Sequence, residues 1–276
     1  MDIEYFEQLW ARKENKYSSF KEGDSKAWDN RVEEFTTDKS DERIELVARF
    51  LREKHLLQET STVLDIGCGP GRFALEFART ARQVIGIDIS PKMLDAAEKN
   101  LQSARLDNVQ FKNLDWQEAD LQTLGWLHKF SLVTAFMSPA VNNRSMLEKM
   151  TQASTDYCLL CHFLQRESSI ADELKKRILG DYPKDKYGNK GLYCSFNILW
   201  LSNYYPELIC FDTFREVTRS LPEAIRYYSK KLEHKVTLTP AQKEFIADYL
   251  EDKAENGQVT EVIKGKIGCI YWKKRE

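Results

Sequence analysis

The sequence predicts an α/β protein: a seven-stranded, mostly parallel sheet with helices on both faces, an N-terminal helical lid and a helical insertion before the last strand. Three observations carry that reading. The apolar run Val63-Leu64-Asp65-Ile66 stops in Gly67-Cys68-Gly69-Pro70-Gly71 and restarts at helical spacing, the pattern of strand, tight turn and helix. A second apolar run, Gln83 to Ile89, follows that helix and contains Asp88 near its end, about 20 residues past the glycines. Further short apolar runs then alternate with amphipathic segments, which places helices over a largely parallel sheet. Residues 1–38 form the lid segment and residues 39–276 one α/β domain, with helical additions at about 165–195 and 220–256.

The lid segment carries Trp10, Phe20, Trp28 and Phe35 among many charges, with Ala27 to Phe35 as an amphipathic helical stretch. It reads either as a surface helix packed by Trp28 and Phe35 or as a cover for a ligand. Ser40 then has the character of an N-cap, followed by Ile44, Val47, Ala48 and Leu51 at helical spacing. The central turn needs glycine because its backbone angles are forbidden to other residues and because a missing Cβ admits a ligand closely. The helix from about Gly71 to Thr80 aims unpaired N–H groups at that ligand, so an anionic group is expected near Gly69 and Gly71. Spaced G-x-G-x-G rather than G-x-G-x-x-G, the glycines make pyrophosphate the weaker reading. Asp65 offers a carboxylate to a cationic group, and Asp88 stands where nucleotide-binding units place an acid on ribose hydroxyls.

After Asp88, Ser90-Pro91 supplies an N-cap and a first-turn proline for a helix carrying Leu94, Ala97 and Leu101 on one face. Asn108 to Leu114 is the third strand, with Asp115-Trp116 at its carboxyl end and a short helix expected over Gln117 to Leu124. Phe130 to Met137 is the fourth strand, Arg144 to Ser154 a helix, and Tyr157 to Phe163 the fifth strand. The fifth contains Cys158-Leu159-Leu160-Cys161-His162, formally a haem attachment pattern. On a strand, residues three apart face opposite ways, so the pattern is rejected. A charged helix from Glu167 to about Leu179, a turn-rich loop from Gly180 to Gly191 and an aromatic stretch from Phe196 to Tyr205 follow. Leu208 to Val217 is the sixth strand, Ser220 to Leu232 and Thr239 to Glu255 are inserted helices, and Gly265 to Lys273 is the seventh.

At Asp65 to Gly71 and at Asp88 the chain resembles the class I S-adenosylmethionine-dependent methyltransferases, over roughly Thr62 to Phe163. The resemblance implies S-adenosyl-L-methionine as cofactor, held by Asp65, Gly67, Cys68, Gly69, Gly71, Asp88 and Ile89. Met93, Asp115, Trp116 and Met137 are implied around the same cofactor, with Trp28 and Arg31 closing over it and Arg31 facing the methionine carboxylate. Met93 reads equally as core, and Asp115 also as a cap of the helix after it. By the same resemblance the seventh strand runs antiparallel at the sheet edge. Members that methylate planar amino groups often carry Asn/Asp-Pro-Pro-Tyr after the fourth strand. Here Met137-Ser138-Pro139-Ala140 stands there, which argues against such an acceptor.

His162, Tyr227 and Tyr228 are the candidate acid–base residues, His162 reading also as structural, and no metal is expected. The net charge of −2 gives no global basic field, although Arg226, Lys230 and Lys231 offer a local patch. The reading is a cytoplasmic methyltransferase acting on a small molecule, with no nucleic-acid partner and no membrane, its oligomeric state open. Alternatives are an RNA or protein methyltransferase, a non-catalytic cofactor-binding protein, or a nucleotide-dependent oxidoreductase. The six cysteines, mostly in apolar runs, suggest reduced, buried thiols.

Overall fold

The computed structural model describes residues 1–12, 25–36, 42–180 and 189–275; the Ser40 cap, Phe20 and most of the loop before Gly191 lie outside them. The strands are β1 Thr62–Ile66, β2 Gln83–Asp88, β3 Val109–Asn113, β4 Phe130–Phe136, β5 Ser154–Ser168, β6 Glu207–Ser220 and β7 Gln258–Lys273. They form one sheet in the order β3-β2-β1-β4-β5-β7-β6. β1 to β5 are parallel, and β7 runs antiparallel to both of its neighbours. The helices are α1 Ile3–Ala11, α2 Ser25–Asp29, α3 Val32–Thr36, α4 Glu42–Glu53, α5 Arg72–Ala78, α6 Pro91–Ala104, α7 Arg144–Ala153, α8 Ala171–Leu179, α9 Lys190–Leu201, α10 Leu221–Glu233 and α11 Pro240–Asp252.

Period-two alternation distributes the strand residues over two cores. Leu64, Ile66, Val133, Leu160, Ile270 and Trp272 face α1, α7 and α9, and the Trp272 indole donates to Thr151 Oγ1 at 3.0 Å. Val63, Val84, Leu132, Leu159 and Tyr271 face α4 and α5 on the other side. Cys158 and Cys161 fall in opposite layers, as their spacing requires. A third core belongs to the additions: Leu174 of α8, Ala224, Tyr228 and Leu232 of α10, and Ile246 and Leu250 of α11 close on Val259. Local capping sets where these helices start. Ser90 Oγ accepts from Met93 N at 3.1 Å, and Thr239 with Gln242 forms a reciprocal box of 3.3 and 2.9 Å.

Four features differ from the sequence reading. β7 sits between β5 and β6, leaving β6 at the edge; Ile267, Ile270 and Trp272 are buried, whereas β6 alternates between half-buried and exposed. Strand order depends on such long-range burial, which a local pattern does not encode. β5 runs on to Ser168 because β7 is long enough to pair with it there, so the next helix starts at Ala171 rather than Glu167. The segment 117–124 forms turns: Asp115 accepts from Gln117 N, and Asp120 from Gln122 N and Thr123 N, diverting amides that a helix would use. Finally, Cys161 and Cys269 are disulfide-bonded and Cys210 is exposed, correcting the expectation of reduced, buried thiols. The two bonded residues stand directly opposite one another in β5 and β7, with Cα atoms 4.1 Å apart.

Candidate active site

β1 pairs with β2 on one side and β4 on the other, so chain order reverses there and a crevice opens at the carboxyl ends of the strands. A cavity of about 440 Å³ occupies it, lined by the loops after β1 to β4, by α2 and α3, and by the first turns of α4, α5 and α6.

The turn after β1 forms the floor. Gly67 has φ +67°, and a Cβ there would lie 2.0 Å from Ser138 Oγ, so only glycine fits against the loop after β4. Gly69 has φ +53°, no atom within 4 Å of a would-be Cβ, and an N–H that donates to Asp88 Oδ2 at 2.8 Å. The other oxygen of Asp88 accepts from Ser90 N, also at 2.8 Å. Asp88 therefore ties the two turns together while lining the cavity. Burial raises its pKa, against the pull of these amides. Asp65 lies behind Gly67, outside the cavity lining, with Thr134 Oγ1 3.1 Å from its Oδ1. Burial first, and the charge of Asp88 second, push its carboxyl up to about 7. Among the described residues it has no cation within ion-pair distance.

Ile89, Met93, Asp115, Trp116 and Gln117 line one end. Lys149 of α7, which sequence reasoning missed, fixes this end. Its ammonium donates to the carbonyls of Trp116 and Gln117 at 2.9 Å and of Ala119 at 3.0 Å, and lies 5.5 Å from the Trp116 ring. A lysine in a helix gives no sequence signal for that role. The opposite end is aromatic. Phe73 and Phe136 stack with centroids 4.0 Å apart, Phe163 of β5 lies beside them, and Arg43 of α4 sits 4.9 Å over the Phe163 ring. Sequence reasoning did not single out these four residues; their place at strand ends and helix starts was the available signal. Met137, Ser138 and Pro139 connect the two ends, Met137 with φ +51°.

α2, α3 and the turn between them supply Trp28, Phe35 and Arg31 to the cavity, whereas α1 packs on α9. The Arg31 guanidinium pairs with both Glu34 oxygens at 3.0 Å and stacks on Trp28 and Phe35. Asp29 anchors this cover to the start of α6, accepting from Ser90 Oγ at 2.6 Å and Lys92 N at 3.2 Å. α10 holds it from the other side through Lys230–Glu33 at 2.8 Å. The candidate acid–base residues are not in the lining. His162 is half-buried on β5, outside the lining, and burial draws its pKa down to about 4. Tyr228 is buried among the added helices, and Tyr227 lies under Arg219 and Lys231. Cys68 does line the cavity, but burial and the charges of Asp65 and Asp88 hold its thiol protonated.

Residues 57–179 match the family model for a methyltransferase domain. The chain is 35% identical over 117 residues to the 23S rRNA (uracil(1939)-C(5))-methyltransferase RlmD of Shewanella frigidimarina, covering 41% of this chain and 25% of that protein. A 67-residue stretch is 39% identical to RlmD of Xanthomonas campestris pv. campestris, covering 24% of this chain and 15% of that protein. The chain thus spans at most about a quarter of the length of these relatives. The fold matches a SAM-dependent methyltransferase of Aquifex aeolicus, with a TM-score of 0.51 and 13% identity over 90% of this chain and 98% of that one. It also matches the YcgJ protein of Bacillus subtilis, at 0.50 and 16% over 84% and 98%. Among the described residues no helix is long and apolar enough to cross a membrane. The glycine turn and both acids lie within the stretch that matches the methyltransferase-domain family, and the fold is the one seen in the SAM-dependent methyltransferase of Aquifex aeolicus.

Proposed function

We propose that this enzyme methylates a base of RNA at nitrogen or oxygen. The observation that carries the reading is the aromatic end of the cavity, where Phe73, Phe136 and Phe163 line the wall and Arg43 lies over the Phe163 ring. An unstacked base is held by such rings, with guanidinium groups serving its phosphates. The likeness to RlmD, a 23S rRNA (uracil(1939)-C(5))-methyltransferase, supports an RNA acceptor. The same likeness overturns the expectation of no nucleic-acid partner. That expectation rested on net charge, which averages away the local concentration of arginines at the cavity.

The cofactor supplies a methyl group on a sulfonium whose sulfur leaves neutral, so the protein's task is alignment and exclusion of water. In the proposed roles, Asp65 takes the ammonium, Asp88 the ribose hydroxyls and Asp115 the adenine amino group, while Trp28 and Phe35 cover the site. The acceptor atom follows from the cysteines. Methylation of a pyrimidine carbon requires a nucleophile to add to the ring first, typically a thiolate. All six cysteines are accounted for: Cys161 and Cys269 are bonded to each other, Cys158 and Cys194 are buried, and Cys210 lies on the edge strand. Cys68 is protonated, and its sulfur lies against Gly86 of β2. A lone-pair nitrogen or oxygen is the acceptor that needs no such thiolate.

The test is incubation of the protein with methyl-labelled S-adenosylmethionine and total RNA plus metabolites, with Asp88→Ala as control. The control should lose roughly 1–3 kcal/mol of cofactor affinity if its buried hydrogen bonds are lost. Label in an N- or O-methylated nucleoside is expected. Label in 5-methyluridine would overturn the acceptor atom, and label confined to metabolites or protein would overturn RNA.

A further inference from the structure

The cavity wall at Asp115, Trp116 and Gln117 belongs to a segment built of turns, and its backbone carbonyls converge on a side chain from α7. Lys149 Nζ donates to the carbonyls of Trp116 and Gln117 at 2.9 Å and of Ala119 at 3.0 Å, which occupies all three hydrogens of the ammonium. A helix over 117–124 would give those carbonyls to amides four residues further on. By taking them, Lys149 holds the segment out of the helix that its sequence predicts. Asp115 takes the amide side: its Oδ1 accepts from Gln117 N at 2.9 Å and its carbonyl from Glu118 N at 3.2 Å. The platform behind the lysine is firm. α7 starts on the Asn143 side chain, which accepts from Met146 N at 3.0 Å, and it buries Met146, Leu147 and Met150. Its Met146 carbonyl also receives the Trp116 indole at 3.5 Å. Lys149 itself is outside the cavity lining, so it reaches a ligand only through this segment. Asp115 is half-buried in the lining, and among the described residues its Oδ2 accepts no hydrogen bond.

We propose that Lys149 is the positioning residue that makes the enzyme selective for the base of its methyl donor: by fixing residues 115–119 it aims the second carboxylate oxygen of Asp115 at the amino group of adenine. The proposal rests on the placement of adenine at Asp115 given above, and the experiment separates the two. Lysine suits the task because three donors on one atom can serve three carbonyls that converge on a point, which the planar fork of arginine cannot. A carboxylate held in one direction rejects a base without the amino group, since it is then left without a donor; a carboxylate free to swing into water does not.

The full chain is titrated by calorimetry with S-adenosylhomocysteine and with its analogue lacking the purine amino group, as wild type, Lys149→Met and Asp115→Ala. Wild type is expected to prefer the adenine compound by roughly tenfold or more, the effect of one hydrogen bond to a charged acceptor. Lys149→Met should bring that ratio close to one, chiefly by weakening the adenine compound, and Asp115→Ala should do the same. Hydrogen exchange at the Gln117 and Glu118 amides should quicken in Lys149→Met. A ratio kept in Lys149→Met but lost in Asp115→Ala overturns the role of Lys149 and leaves the placement of adenine standing. Equal weakening of both compounds by Lys149→Met, with the ratio preserved, marks a structural role only and overturns the proposal too. A ratio unchanged in Asp115→Ala overturns the placement of adenine, and unchanged amide exchange overturns Lys149 as the clamp of the segment. Should Lys149→Met fail to unfold cooperatively on heating, Lys149→Arg replaces it: a lowered ratio supports the proposal and a kept ratio overturns it.

Discussion

Single side chains at the cofactor end carry opposing demands. Without cofactor, Asp65 is a buried carboxyl held up to about 7 against 3.8 in a model peptide. The folded chain therefore binds a proton that the unfolded chain releases between these values. The contribution of Asp65 to stability improves as pH falls from about 7 toward 4, and is least favourable above 7. Asp65→Asn should stabilise the cofactor-free protein by roughly 2–4 kcal/mol at about pH 8 and leave it unchanged at about pH 4. Cofactor affinity should drop at the same time. Thermal unfolding at the two pH values checks this, and equal melting of the two proteins at the higher pH would contradict it. Gly67→Ala should abolish cofactor binding, because its Cβ would meet Ser138 2.0 Å away. Adding Ser138→Gly should recover part of the loss, leaving the cost of a positive φ, about 1 kcal/mol. A double variant no better than the single one would show that the contact with Ser138 is not the reason. These glycines and acids were legible in the sequence because they lie at fixed spacing along two short strands and the turns that follow them. Phe73, Phe136 and Phe163 were not, because three strand-end or helix-start phenylalanines become one surface only after the sheet is assembled.

Elements explain the next level. The existence of each strand and most helices followed from periodicity, but the ends of β5 and the place of β7 depend on pairing partners far away in the chain. The cover shows the same limit. Its amphipathic stretch was readable, while its anchoring by Asp29 to Ser90 and by Glu33 to Lys230 joins residues 61 or more positions apart. An exposed ion pair such as Glu33–Lys230 contributes at most about 1 kcal/mol. The Asp29 contact, made to a hydroxyl and a backbone amide at a helix start, is the stronger anchor. Asp29→Ala should therefore speed cofactor release several-fold, whereas Lys230→Ala should change it little. Stopped-flow dissociation measures both rates; equal effects of the two substitutions would place the anchor elsewhere.

At the scale of the whole molecule, composition misled where position decides. A net charge of −2 says nothing about where the arginines lie, and Arg31, Arg43 and Arg72 line the cavity. Cysteine placement misled in the same way, since opposition of Cys161 and Cys269 exists only in the register of β5 with β7. The unfolded, unreduced chain should show four titratable thiols, and six after reduction. Six before reduction would contradict the bond. Closing a sequence separation of 108 residues, the bond stabilises the fold by about 4–5 kcal/mol in the chain-entropy description. Reductant should lower the melting temperature accordingly.

The position of β7 also governs how the molecule is born. A growing chain makes β5, then β6, then α10 and α11, and only afterwards the strand that joins them. Until β7 emerges, β6 has no neighbour to pair with, and β5 presents a bare, largely apolar edge to any other nascent strand. The stage of synthesis between β5 and β7 is thus when this protein is most exposed to aggregation and most in need of a chaperone. A chain clipped after α11 would keep its glycine turn and yet leave a five-stranded sheet with β6 adrift, so an intact turn after β1 would be no guarantee of a soluble protein.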